Sequence, residues 1–286
     1  MRRYMLQLDP LIQIAKRAKL HSSKKFSPEG SKSFAFVLLC AMALNLFCCR
    51  GNALTPAAFC TYHYEQALIQ YKGTTITVEY YIPDRYKSYP LVFMLHGSAG
   101  AFTLASSHEP SVDNFGEKSL ARSCFAVVFP HYFEALGYKS MTSQQEMSAR
   151  FADLLSVVDF LLSDAEARSW AKKRPVFLFG ESLGGYLSVA LAFQRSEVSR
   201  VSEVSGGLPN GYFLRSVGSL SILISHGIED TLVPVAESES LRQYCLSRNI
   251  PVEMDLYPEV GHYFPKSVST RSISRTIEFF NKQSSR

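Results

Sequence analysis

The sequence predicts an α/β fold, a mostly parallel central sheet covered by helices on both faces, and three observations predict it. Short β-branched runs alternate with amphipathic helical patterns from about residue 60 onward. Several of those runs are apolar without a break, as expected of strands buried on both faces. One of them, Val176-Phe-Leu-Phe179, passes through a glycine-rich turn straight into an apolar helical stretch.

The elements follow in order. Thr74–Ile82 alternates polar and apolar residues and reads as an early strand at the sheet edge, whereas Leu91–Leu95 is a buried central strand. Cys124–Phe129 and Val176–Phe179 repeat the buried pattern. Between them Met147, Phe151, Leu154, Leu155, Val158, Leu161 and Leu162 recur at helical spacing, and Ser143 with Glu146 forms a capping box at the helix start. Leu220–Ile224 is another central strand, and Val252, Met254 and Leu256 alternate in a later one. Leu241 and Cys245 mark one further helix, and Ile273, Ile277 and Phe280 mark a C-terminal one. Residues 54–286 read as a single catalytic domain without repeats.

Residues 1–53 are different in kind. They hold nine of the 30 Lys/Arg but only two of the 25 Asp/Glu, so the rest of the chain is slightly acidic despite a net charge of +5. A nucleic-acid surface is therefore not expected on the body. The basic prefix leads into an apolar run over residues 34–49, then Arg50 and the small residues Gly51-Asn52-Ala53. That is the layout of a secretory signal or of an uncleaved anchor. The expectation is export, periplasmic or extracellular, or membrane association through residues 34–49 with the domain outside. A hydrophobic arm packed on a cytoplasmic domain is the competing reading. The prefix is long for a signal, which a start placed too far upstream would explain. Outside the apolar run lie Cys60, Cys124 and Cys245, which allow at most one disulfide, and no cysteine spacing resembles a zinc site. No metal or organic cofactor is expected.

The chemistry concentrates in four places. Gly180-Glu-Ser182-Leu-Gly184 is a G-x-S-x-G sequence in the strand–turn–helix context it requires, with Ser182 held at the positive end of the following helix. A serine hydroxyl needs a base to remove its proton as it attacks. Of seven histidines only His262, in Pro258-Glu-Val-Gly-His262, follows both the serine and a suitable acid. That acid is Asp230, in His226-Gly-Ile-Glu-Asp230 after the strand Leu220–Ile224; Glu229 and Asp255 are the other candidates and are expected to face solvent. Oxyanion donors are expected from the backbone N–H of Leu183 and of Ser98, the latter in the His96-Gly-Ser-Ala-Gly100 turn, where His96 is structural. Gly97, His131, Tyr132 and Tyr186 are candidate pocket residues, as is His108, with the walls drawn from residues 102–119 and 131–140.

In order and spacing these motifs resemble those of the α/β-hydrolase superfamily over about residues 70–286, and the chain is most similar there to the dienelactone hydrolase-like and small carboxylesterase branches. The phrase Val127-Val-Phe-Pro-His-Tyr-Phe-Glu134 also resembles theirs. The resemblance implies the α/β-hydrolase fold, a small ester-like substrate and an acyl-enzyme. The departure is that dienelactone hydrolase itself uses a cysteine nucleophile where this chain has Ser182, which favours ordinary esters or thioesters. Only a short helix fits between Ser205 and Leu220, so no large lid and an open site are expected. An acyltransferase or peptidase would use the same residues, and a non-catalytic binding protein would keep the fold without turnover.

Overall fold

In a computed structural model of the chain, residues 59–101, 116–171, 175–213 and 219–282 are described. The basic prefix, the apolar run at 34–49 and His108 lie outside them. Among the described residues no helix is long and apolar enough to cross a membrane.

Eight strands form one sheet in the order β1-β2-β4-β3-β5-β6-β7-β8. They are β1 (Tyr62–Tyr71), β2 (Thr74–Pro83), β3 (Leu91–Leu95), β4 (Ala126–Pro130), β5 (Val176–Glu181), β6 (Val198–Val204), β7 (Ser221–Gly227) and β8 (Val252–Tyr257). β1 and β2 form an antiparallel hairpin that joins the sheet antiparallel to β4, and every other pairing is parallel. The expected fold class is the observed one.

One position differs from expectation. Thr74–Ile82 is not at the edge, because β1 pairs along its whole length. The segment Tyr62–Tyr71 is mostly exposed and carries polar residues on both faces, so it lacks the apolar alternation by which a half-buried strand is recognised.

Five α-helices and one 3-10 helix (Tyr132–Leu136) complete the described fold: α1 (Glu117–Arg122), α2 (Gln144–Ala167), α3 (Leu183–Gln194), α4 (Val235–Ser247) and α5 (Lys266–Asn281). Ser143 caps α2, its Oγ accepting from the Glu146 N–H at 3.4 Å. The buried stripe of α2, from Leu154 to Ala165, joins residues of α3 and α4 in the larger core on one face of the sheet. Leu120 and Ala121 of α1 and Phe279 and Phe280 of α5 build the smaller core on the other. Helix α3 is buried on nearly all sides, and each fully buried leucine on it, such as Leu187 or Leu191, contributes about 2 kcal/mol by leaving water. Among the described residues no large lid interrupts the fold. A disulfide joins Cys60 to Cys124 with Cα atoms 5.3 Å apart, fastening the segment before β1 to the start of β4, and Cys245 is buried and free.

Candidate active site

The carboxyl ends of β5, β7 and β8 bring three side chains together that the sequence separates by 80 residues. Ser182 follows β5 with φ 54° and ψ −119°, a strained backbone that lifts its side chain out of the turn, and its N–H donates to Val204 O at 2.8 Å. The turn is possible because of its glycines: a Cβ on Gly180 would lie 2.1 Å from Gly184 O, and one on Gly184 would lie 2.1 Å from Leu95 O. Helix α3 is thereby packed against β3 and β5 with its N-terminus beneath the serine.

His262 sits in the loop between β8 and α5. Its Nε2 is 3.0 Å from Ser182 Oγ and its Nδ1 is 2.8 Å from Asp230 Oδ2. A carboxylate only accepts, so Nδ1 carries the hydrogen and Nε2 is free to accept from the serine hydroxyl. Asp230 is itself buried, and its Oδ1 accepts from the backbone N–H groups of Leu232 and Val233, each at 2.9 Å. The carboxylate is thus fixed by its own loop before it meets the imidazole. Glu229 is exposed, as expected, whereas Asp255 is half-buried in an ion pair with Arg275 at 3.1 Å.

The turn after β3 runs beside the serine. A Cβ on Gly97 would lie 3.3 Å from Ser182 Cβ and 3.9 Å from its Oγ, so the backbone entering Ser98 borders Ser182. The Leu183 N–H opens α3, among the amides that find no partner within their own helix. His96 behind this turn is structural: its Nδ1–H donates to Gly97 O at 2.8 Å and its ring stacks on Tyr132 at 4.0 Å. Burial drives its pKa down to about 3, which keeps the ring neutral.

Two of the expected pocket residues are corrected. Tyr132 is fully buried and donates its O–H to His96 O at 2.6 Å, so it supports the turn and has no surface to offer a substrate. His131 is buried too, with Nε2 donating to Glu79 Oε1 of β2 at 2.8 Å. Both were invisible as structural residues because their partners lie 36 and 52 positions away. Tyr186 is half-buried in the first turn of α3, and burial, then the charge of Glu237, pushes its phenol up. Glu181, between Gly180 and Ser182, also has its carboxyl pushed up by burial and partly drawn back by His262.

Exposed Ile228, Leu232 and Tyr263 belong to the same two loops as Asp230 and His262 and give them an apolar exterior. A separate depression of about 320 Å³ is lined by Phe59, Cys60, Thr61, Tyr62 and Arg122 and holds no nucleophile or base. Among the described residues no cluster of three or more His, Cys, Asp or Glu is arranged to hold a metal.

A model of the dienelactone hydrolase family matches residues 80–283. No curated protein matches the sequence. Among solved structures, a protein assigned as a dienelactone hydrolase from Klebsiella pneumoniae is similar, with TM-score 0.62 and 16% identity over 78% of this chain and 100% of its own. A dienelactone hydrolase-like promiscuous phosphotriesterase from metagenomic libraries is similar with TM-score 0.61 and 14% identity, over 77% of this chain and 97% of its own. A protein assigned as a dipeptidyl aminopeptidase IV from Bacteroides ovatus has TM-score 0.62 and 13% identity over 77% of this chain but only 35% of its own. At these identities the likeness is one of fold.

Proposed function

This chain belongs to the dienelactone hydrolase family, and from that premise we propose that it is a serine hydrolase cleaving carboxylic esters or thioesters through an acyl-enzyme on Ser182. The observation that carries the reading is the unbroken chain from Ser182 Oγ to His262 Nε2 at 3.0 Å and from His262 Nδ1 to Asp230 Oδ2 at 2.8 Å.

In this reading Ser182 Oγ attacks the carbonyl carbon as its proton passes to His262 Nε2, and Asp230 stabilises the imidazolium that forms. The negative oxygen of the tetrahedral intermediate is held by the N–H groups of Leu183 and Ser98, each worth about 3 kcal/mol to the transition state. The intermediate collapses, the alcohol or thiol leaves with the proton returned by His262, and a water activated by the same histidine releases the acid. The family's hydrolase chemistry supports a small-molecule substrate. The apolar side chains of Ile228, Leu232 and Tyr263 favour an ester with apolar character beside the scissile bond.

The test is covalent labelling with a fluorophosphonate probe, the modified residue being mapped by mass spectrometry. Modification of Ser182 that vanishes in Ser182→Ala is the expected result, followed by turnover of an ester and thioester panel. A folded protein that takes no label would sink the reading.

Export of the domain is part of the same proposal. The Cys60–Cys124 bridge supports it, because such bonds persist in oxidising compartments. Both cysteines should resist alkylation in protein taken from its native cells under non-reducing conditions, and free thiols at both positions would argue for a cytoplasmic protein.

A further inference from the structure

Behind Asp230 a second buried polar chain runs away from Ser182, and the reaction as drawn makes no use of it. His226, at the end of β7, is fully buried. Its Nε2 lies 2.9 Å from Val233 O and 3.2 Å from Asp230 Oδ2. Both neighbours only accept, so Nε2 carries a hydrogen. Its Nδ1 is 2.7 Å from Ser238 Oγ on α4. Ser238 Oγ is in turn 3.2 Å from Glu203 Oε1 on β6, and Glu203 Oε2 accepts from the Gly206 N–H at 2.8 Å. Ser238 and Glu203 are both without exposed surface.

Ser238 Oγ also has Gly206 O at 3.3 Å, but its short 2.7 Å contact with His226 Nδ1 is the one that claims its single hydrogen, and the count follows from there. A neutral His226 with its hydrogen on Nε2 has a lone pair on Nδ1, which takes the single hydrogen of Ser238. The Ser238 oxygen then turns a lone pair toward Glu203 Oε1, and that contact is attractive only if Glu203 is protonated. The other way to close the chain, a doubly protonated His226 beside an ionised Glu203, buries two charges where the first buries none. Burial pushes the Glu203 carboxyl up to about 7, in keeping with the neutral form.

We infer that Glu203, Ser238 and His226 are positioning residues for the reaction: a protonated Glu203 donates to Ser238, Ser238 donates to His226 Nδ1, and His226 Nε2–H holds Asp230 Oδ2 in register with His262. The inference rests on the serine-hydrolase reading above. It has a second structural anchor, since a Cβ on Gly185 in the first turn of α3 would lie 3.2 Å from Glu203 Oε2. The chain therefore begins against the nucleophile's own helix and ends on the acid that serves its base. An acid loop that shifts away from His262 by an ångström loses up to about a hundredfold in rate.

The test compares the rate of fluorophosphonate labelling at Ser182 with the unfolding midpoint at pH 6. The variants are Glu203→Gln, Ser238→Ala, His226→Gln and His226→Leu. The amide N–H of glutamine replaces the donor lost at either end, so Glu203→Gln and His226→Gln should label within about threefold of wild type. Ser238→Ala and His226→Leu should slow about ten- to a hundredfold while remaining folded. If His226→Leu does not fold, Ser238→Ala decides alone, because it deletes a single oxygen. A chain that only stabilises the core would lower the midpoint and leave the rate at wild type, which would overturn the inference; so would a Glu203→Gln rate as low as that of Ser238→Ala. An unlabelled wild type would overturn the serine-hydrolase reading and this one together, whereas a labelled wild type with insensitive variants overturns this one only.

Discussion

Two histidine–carboxylate pairs, each closed at 2.8 Å and each with one buried and one half-buried member, stand at opposite parts of the same sheet: His131–Glu79 beside the antiparallel hairpin, and His262–Asp230 at the ends of the parallel strands. Their local chemistry is nearly the same, and their surroundings are not. Nε2 of His131 is the nitrogen that meets the carboxylate. In His262 that bond is made by Nδ1, which leaves Nε2 directed at Ser182. The difference is that only His262 presents its second nitrogen to a serine hydroxyl, and the parallel strands allow this by ending β5, β7 and β8 at one edge. The antiparallel margin has no such convergence, and it is the part fastened by the disulfide.

The largest expected effect breaks the comparison at its centre. His262→Ala should lower the rate of Ser182 labelling and of ester turnover by about 10³- to 10⁴-fold and change the unfolding midpoint little. His131→Ala should do the reverse, leaving the rate within about threefold and costing about 2 kcal/mol of stability, because it empties the space of a buried ring and takes one donor from the half-buried Glu79, which keeps the Tyr81 O–H at 2.9 Å. Rates and urea unfolding on both variants check this, and a folded His131→Ala protein with the rate of His262→Ala would make the two pairs functionally equivalent.

The same contrast explains what could be read from the sequence. That Ser182, Asp230 and His262 lie together is legible because the turns that present them have fixed local composition: glycines at 180 and 184 where backbones touch, Gly227 shortly before Asp230 and Gly261 just before His262. The structural roles of His131 and Tyr132 are not legible, and the sequence alone offers both as pocket residues, because nothing local marks a partner on β2 or in the His96 turn. Strand β1 is silent in the sequence for the opposite reason: as an exposed edge it has little apolar signal to give. The Cys60–Cys124 pairing was one of three open choices among the cysteines outside the apolar run. Glu203 did leave a signal, a lone carboxylate inside Val198-Ser-Arg-Val-Ser-Glu-Val204, a strand buried on both faces. A charge there has to be paired or protonated.

Glu203 also sharpens the comparison through pH. Burial lifts its carboxyl from an ordinary value of 4.5 to about 7, while the bond accepted from the Gly206 N–H pulls the other way. Its charge when ionised would also be felt by Tyr186 on α3 and Cys245 on α4, whose own pKa values rise with it nearby. The folded protein therefore holds this proton more tightly than the unfolded chain does. That preference stabilises the fold fully below the ordinary carboxylate pKa, weakens as pH rises, and is lost above about 7, a swing on the order of 3 kcal/mol. Glutamine cannot ionise, so Glu203→Gln should match wild type near pH 5 and exceed it near pH 8 in urea unfolding. A difference between the two proteins that stays constant from pH 5 to pH 8 would mean that Glu203 is ionised throughout, and that the polar chain behind Asp230 is closed by a charged His226 instead.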